Sequence, residues 1–122
     1  MAYENLKQRT KLFALRVIKL VENLPETKTS KILGNQVLHS GTSEAANYRA
    51  GCLAKSKRDF INKLKIVEEE ADETIFWLEL IEESGIFSSN KLLSIKTEAH
   101  EILAIIVASI KTARKNQKQP AL

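Results

Sequence analysis

Apolar side chains recur along this chain at alternating steps of four and three. The first run is Leu6, Thr10, Phe13, Val17, Leu20 and Leu24, a heptad seam that predicts an amphipathic helix over about 5–24. Asn5 is its expected N-cap, and Pro25 ends it because the residue before a proline avoids α geometry. A second helix is predicted over about 29–51, with Ile32, Leu33, Val37, Leu38, Ala45, Ala46 and Tyr48 as its buried candidates and Gly51 as its terminator. The third has the sharpest pattern. Ser56 stands three residues before Asp59, a shortened capping box, and Phe60, Leu64, Val67, Ala71, Thr74, Leu78 and Ile81 follow at heptad spacing up to a cap at Gly85. This helix, about 56–84, is roughly 42 Å long at 1.5 Å per residue. A fourth, about 89–116, starts at Ser88 or Ser89 and carries Leu92, Ile95, Ala99, Ile102, Ile106, Ile110 and Ala113. Short connections favour antiparallel neighbours, so the pattern predicts one all-α domain over 1–122, an up-down-up-down four-helix bundle.

Two stretches carry more apolar surface than one core stripe uses. Residues 75–78 read Ile-Phe-Trp-Leu and are followed by Leu80 and Ile81; residues 102–107 read Ile-Leu-Ala-Ile-Ile-Val. A lone bundle leaves part of both in water, and exposed apolar patches of that kind mark interfaces. Self-association through Phe76, Trp77, Leu80, Ile105 and Val107 is the expectation. The longest apolar run, Ile102 to Ala108, is far short of the ~18 residues a membrane span needs.

Charge refines the picture. The net charge of +4 is the sum of +4 over residues 1–54, −4 over 55–83 and +4 over 84–122. The basic excess lies in the first and last helices, where Lys7, Arg9 and Lys11 stud one end of the first, and Lys111, Arg114, Lys115 and Lys118 crowd the end of the fourth. In an antiparallel pair these two groups meet, and the surface they make suits the phosphate backbone of RNA or DNA, with steep salt dependence and little base preference. The competing account of the C-terminal group is plain complementarity to the helix dipole. The acidic run Glu68, Glu69, Glu70, Asp72 and Glu73 reads as a solvated face, with Glu69 and Glu73 the two suited to pairing with basic residues of a neighbour.

Catalytic and metal chemistry find no constellation. His39 and His100 stand far apart, neither in a Glu-x-x-His pair of the kind that builds di-iron bundles. Cys52 is the one cysteine, which excludes an intramolecular disulfide and four-cysteine zinc sites and fits a reducing, cytoplasmic compartment. The start of the chain does not have the charged-then-apolar layout of a secretory signal. No enzyme activity, cofactor, metal or small-molecule substrate is expected.

The second helix is crowded with small residues: Gly34, Ser40, Gly41, Thr42, Ser43, Ala45 and Ala46. A glycine inside a helix costs about 1 kcal/mol against alanine, and close approach of a neighbouring backbone is the expected compensation. The run SGTSEAANYRAG over 40–51, followed by KSKRDFINKL over 55–64 and by Trp77 to Leu80 and Glu83 to Gly85, resembles the 23S rRNA intervening-sequence protein family of bacteria. The likeness spans roughly residues 5–115, with Ser40, Gly41, Ser43, Asn47, Asp59 and Phe60 as its packing motif. Glu44 departs from it, since that block more usually holds an aliphatic residue there, and so does the Gly51-Cys52 pair. The resemblance implies a four-helix bundle that assembles in rings of five and has no established catalytic residues. Its members were first noticed as reading frames inside insertions in large-subunit ribosomal RNA genes. A distant relative is the basic pentameric accessory protein of diversity-generating retroelements, which binds a reverse transcriptase and nucleic acid. The expectation is therefore a homo-oligomer, a pentamer by resemblance, that binds RNA or DNA, the alternative being an adaptor whose partner is another protein.

Overall fold

The structure, a computed structural model, describes residues 2–118, with side chains described for residues 5–117. Its elements are α1 (Ala2–Glu22), α2 (Lys28–Cys52), α3 (Lys57–Glu83) and α4 (Ser89–Lys118), with no strand among the described residues. Each helix packs antiparallel on the next, and α4 closes back on α1 over a shorter contact.

The helix boundaries follow from local chemistry. Thr27 caps α2, its hydroxyl accepting the Ser30 N–H at 3.1 Å. Ser56 caps α3 by accepting the Asp59 N–H at 3.0 Å, the hydroxyl half of the expected box. Beyond α3 the chain turns at Gly85, which has φ of +78°, a conformation that a Cβ would strain. Two boundaries differ from expectation. α1 begins at Ala2, so Asn5 lies inside the helix and caps nothing. Gly51 also lies inside its helix, where the space a side chain would fill is taken by Lys63 Cβ of α3, 3.2 Å from the site of a glycine Cβ.

The heptad seams make the core. Leu6, Phe13, Val17 and Leu20 of α1 meet Leu64, Val67, Leu78 and Ile81 of α3 and Leu92, Ile95, Ile102, Ile106 and Ile110 of α4 in one cluster. Each such aliphatic side chain contributes roughly 1.5–3 kcal/mol by leaving water. Thr10 keeps its seam position because its hydroxyl bonds back to the Lys7 carbonyl at 3.1 Å.

α2 is the exception to apolar patterning. Among its candidates Val37 and Tyr48 are buried, but Ile32 is exposed and so is Ala46. The face turned inward holds Ser30, Gly34, Ser40, Gly41 and Glu44 instead. Small side chains let α1 and α3 approach: a Cβ on Gly41 would stand 3.0 and 3.1 Å from the two methyl carbons of Val17. On the α3 side, Ser40 Oγ lies 2.8 Å from Thr74 Oγ1, which also reaches the Glu70 carbonyl at 2.8 Å. The compensation for glycine is thus an interlocked valine side chain. It is not a neighbouring backbone.

Candidate nucleic-acid interface

Helical geometry divides the basic residues of α1 between two flanks. Lys7 and Lys11, one turn apart, face α2, whereas Arg9 points towards α4. The Arg9 guanidinium is engaged there through two of its three nitrogens. Its Nε donates to Glu98 Oε2 at 2.7 Å, and its Nη2 donates to Glu98 Oε1 at 2.8 Å and Glu101 Oε1 at 2.6 Å. The hydrogen bonds from Arg9 hold the Glu98 carboxyl below the usual carboxylate range against the opposing effect of burial. Arg9 therefore serves as a clamp between α1 and α4 and brings little free charge to the surface.

Lys7 and Lys11 instead line a cleft of about 500 Å³ with Gln8, Ala45, Ala46 and Arg49. Arg49, in the last turn of α2, was not among the sequence candidates, since only folding brings it beside α1. Among the described residues none of these three cations makes an ion pair.

The antiparallel arrangement gathers more charge at the same end. The start of α1, the end of α2, the start of α3 and the end of α4 lie together. Lys111, Arg114 and Lys115 are all exposed there, on the last turns of α4. The side chain of Lys118 lies outside the described residues. The turn from α2 to α3 adds Lys55, and the start of α3 adds Lys57 and Arg58, each exposed. These three were hidden by the net charge of −4 over residues 55–83, because the cations of that stretch all precede Glu68 and its acids, apart from Asp59, lie further along α3. An acid of this end is Asp59, exposed in the first turn of α3.

The expected oligomer residues fall on separate faces. Phe76 is 49% exposed, and Trp77 and Leu80 are half-buried beside it on the outer side of α3. The Phe76 and Trp77 rings meet edge to face with centroids 5.0 Å apart. Glu69 and Glu73 are exposed on the same helix. Ile105 and Val107 are both half-buried, but two residues along a helix turn the side chain by about 200°, so they sit on opposite flanks of α4. They do not form one surface.

Of the motif residues, Ser40 and Gly41 are buried in the seams already described. Asn47 and Ser43 are half-buried, with Asn47 Nδ2 donating to the Ser43 carbonyl at 2.9 Å. Asp59 is exposed, and Phe60 packs against the core. Glu44, the departure from the pattern, is 1% exposed, and its Oε1 has no hydrogen-bond partner. Burial, and then the nearby Glu70 carboxylate, push its pKa up to about 8. His39 and His100 are exposed, and Cys52 is half-buried. No group of three or more His, Cys, Asp or Glu is placed to hold a metal among the described residues, and no helix there is long and apolar enough to cross a membrane.

Comparison with known proteins covers nearly the whole bundle. Residues 4–108 match the family model described as 23S rRNA-intervening sequence protein. A crystal structure of a protein of unknown function from the S23 ribosomal protein family of Bacteroides thetaiotaomicron VPI-5482 superposes with a TM-score of 0.85 at 35% identity, over 91% of this chain and 99% of that one. No curated protein matches the chain.

Proposed function

The chain belongs to the 23S rRNA-intervening sequence protein family, and we propose that it is a non-enzymatic, cytoplasmic accessory protein that binds the backbone of RNA or DNA through the cationic end of its bundle. The observation that carries this reading is the convergence of Lys7, Lys11, Arg49, Lys55, Lys57, Arg58, Lys111, Arg114 and Lys115 from all four helices and one turn on a single end. Helix-dipole complementarity accounts for the cations closing α2 and α4. It does not account for Lys57 and Arg58, which open α3, where the dipole favours acids. Their placement suits a phosphate chain crossing the end of the bundle. The surface carries no aromatic platform among these residues, so contacts go to phosphates and sequence preference is weak.

We propose in addition that copies of the chain associate through the outer face of α3, where Phe76, Trp77 and Leu80 offer apolar area flanked by Glu69 and Glu73. Five-fold closure is the arrangement that the family resemblance suggests. Association repeats the cationic end several times in one particle, which steepens the salt dependence of binding.

Fluorescence polarisation with a labelled RNA and a labelled DNA of mixed sequence tests the reading. Saturable binding is expected at 50 mM salt, about tenfold or more weaker at 200 mM if three or more phosphates are neutralised. Replacing Lys55, Lys57 and Arg58 by alanine should weaken it by a further tenfold or so and flatten the salt slope. Absence of binding at 50 mM salt would remove nucleic acid from the account and leave a protein-binding adaptor.

A further inference from the structure

The opposite end of the bundle has a second cleft, between α1 and α4, with different chemistry. Its volume is about 460 Å³, within the range of small-molecule sites. Leu20, Ile95 and Phe87 line it with apolar surface, and Arg16, Lys19 and Lys91 stand around them. Two of these cations are held in place. Arg16 Nη2 donates to Ser94 Oγ at 2.7 Å, and Lys91 Nζ lies 5.3 Å from the centroid of the Phe87 ring, a cation–π contact.

The contrast with Arg9 is informative. Two turns earlier on the same flank of α1, Arg9 meets Glu98 and Glu101; Arg16 meets a serine hydroxyl where a carboxylate would have neutralised it. The acid that senses Arg16 is Glu98, which Arg9 already clamps. Lys19 and Lys91 make no ion pair among the described residues. Three cations thus surround an apolar floor with no acid of their own, and α4 starts beside them at Ser89, so its positive dipole end adds to the field.

We propose that this cleft binds a small amphipathic anion: a flat apolar body laid on Leu20, Ile95 and Phe87, with one phosphate, sulfonate or carboxylate held by Arg16, Lys19 and Lys91. The Lys7–Lys11–Arg49 cleft is floored by alanines and continues into further cations, which suits a polyanion. This one is apolar within and cationic at its rim, which suits a ligand with a single charged head. The site is independent of the nucleic-acid reading.

The test uses 1-naphthyl phosphate and the full chain, followed by calorimetry and by amide chemical shifts. Binding of one molecule per protomer is expected, with shifts centred on Lys19, Phe87 and Lys91. The double variant Lys19→Glu, Lys91→Glu should lose at least about tenfold in affinity, and so should the milder Lys19→Gln, Lys91→Gln pair. Both inorganic phosphate, which has no apolar body, and 1-naphthol, which has no anionic head at neutral pH, should bind at least about tenfold more weakly. Lys55→Ala, Lys57→Ala, Arg58→Ala should leave the affinity unchanged. No saturable binding at low-millimolar ligand overturns the proposal, and so does binding that both double variants retain.

Discussion

At the scale of single residues, Glu44 is the group whose chemistry folding changes most. Its carboxyl is sealed between α2 and α3 with one oxygen unpartnered and Glu70 across the seam, so the protonated form is favoured. The sign of the consequence follows from linkage. The unfolded chain releases this proton near 4.5 and the folded chain near 8, so the folded state binds the extra proton between those values. The contribution of this group to stability should be greatest below the unfolded value, decline as pH rises through this window, and level off above it. The loss is on the order of 3–5 kcal/mol before any relaxation of the site. Glu44→Gln should flatten that part of the pH profile and raise stability at pH 9, measured by chemical denaturation at fixed protein concentration. A decline of equal size in the variant would move the cause elsewhere. The sequence showed Glu44 as an odd acid in an aliphatic position, but its solvent exposure depends on where α3 lies.

At the scale of elements, the α1–α2 seam is held by fit. Gly41 and Val17 interlock so closely that Gly41→Ala sets two opposing effects against each other: a gain of about 1 kcal/mol in helix propensity and an overpacking cost of about 1–3 kcal/mol. The cost should win, with a net loss of about 1 kcal/mol. In Gly41→Ala, Val17→Ala the two changes should be less than additive, because the shortened side chain vacates the space the new methyl needs. Thermal denaturation of the two single variants and the double variant checks this; strict additivity would mean the contact is slack. The seams of α1, α3 and α4 were legible as heptads because their partners demand only apolar bulk. The inward face of α2 was only partly legible. Ile32 looked like core and Ser40 did not, yet proximity to Val17 and Thr74 made smallness, not hydrophobicity, the requirement.

At the scale of the whole molecule, charge and apolar surface are sorted by direction. The cationic end lies across the bundle axis, while Phe76, Trp77 and Leu80 look sideways from α3, so copies joined through that side leave the ends open. On the proposed association through α3, Phe76→Glu should weaken assembly at least tenfold while leaving the protomer folded, because Phe76 is half-exposed and outside the core cluster. Sedimentation at matched concentration reads the result as a shift towards the 13.7 kDa monomer. An unchanged multimer mass would retire that face as the contact. Basic residues of α1 and α4 were visible as candidates in the sequence. Arg49, Lys57 and Arg58 were not, and Arg9 changed role on meeting Glu98 and Glu101.

The amino-acid sequence by itself determined the number of helices, most of their boundaries, and the apolar seams of three of them. Those features rest on spacing, caps and turn residues, which act within a few positions of one another. Only the tertiary structure decided which cations are spent in clamps, which converge on one end, and where an acid is forced to keep its proton. Charge acts through space and burial is a property of neighbours, so residues tens of positions apart set these outcomes for one another.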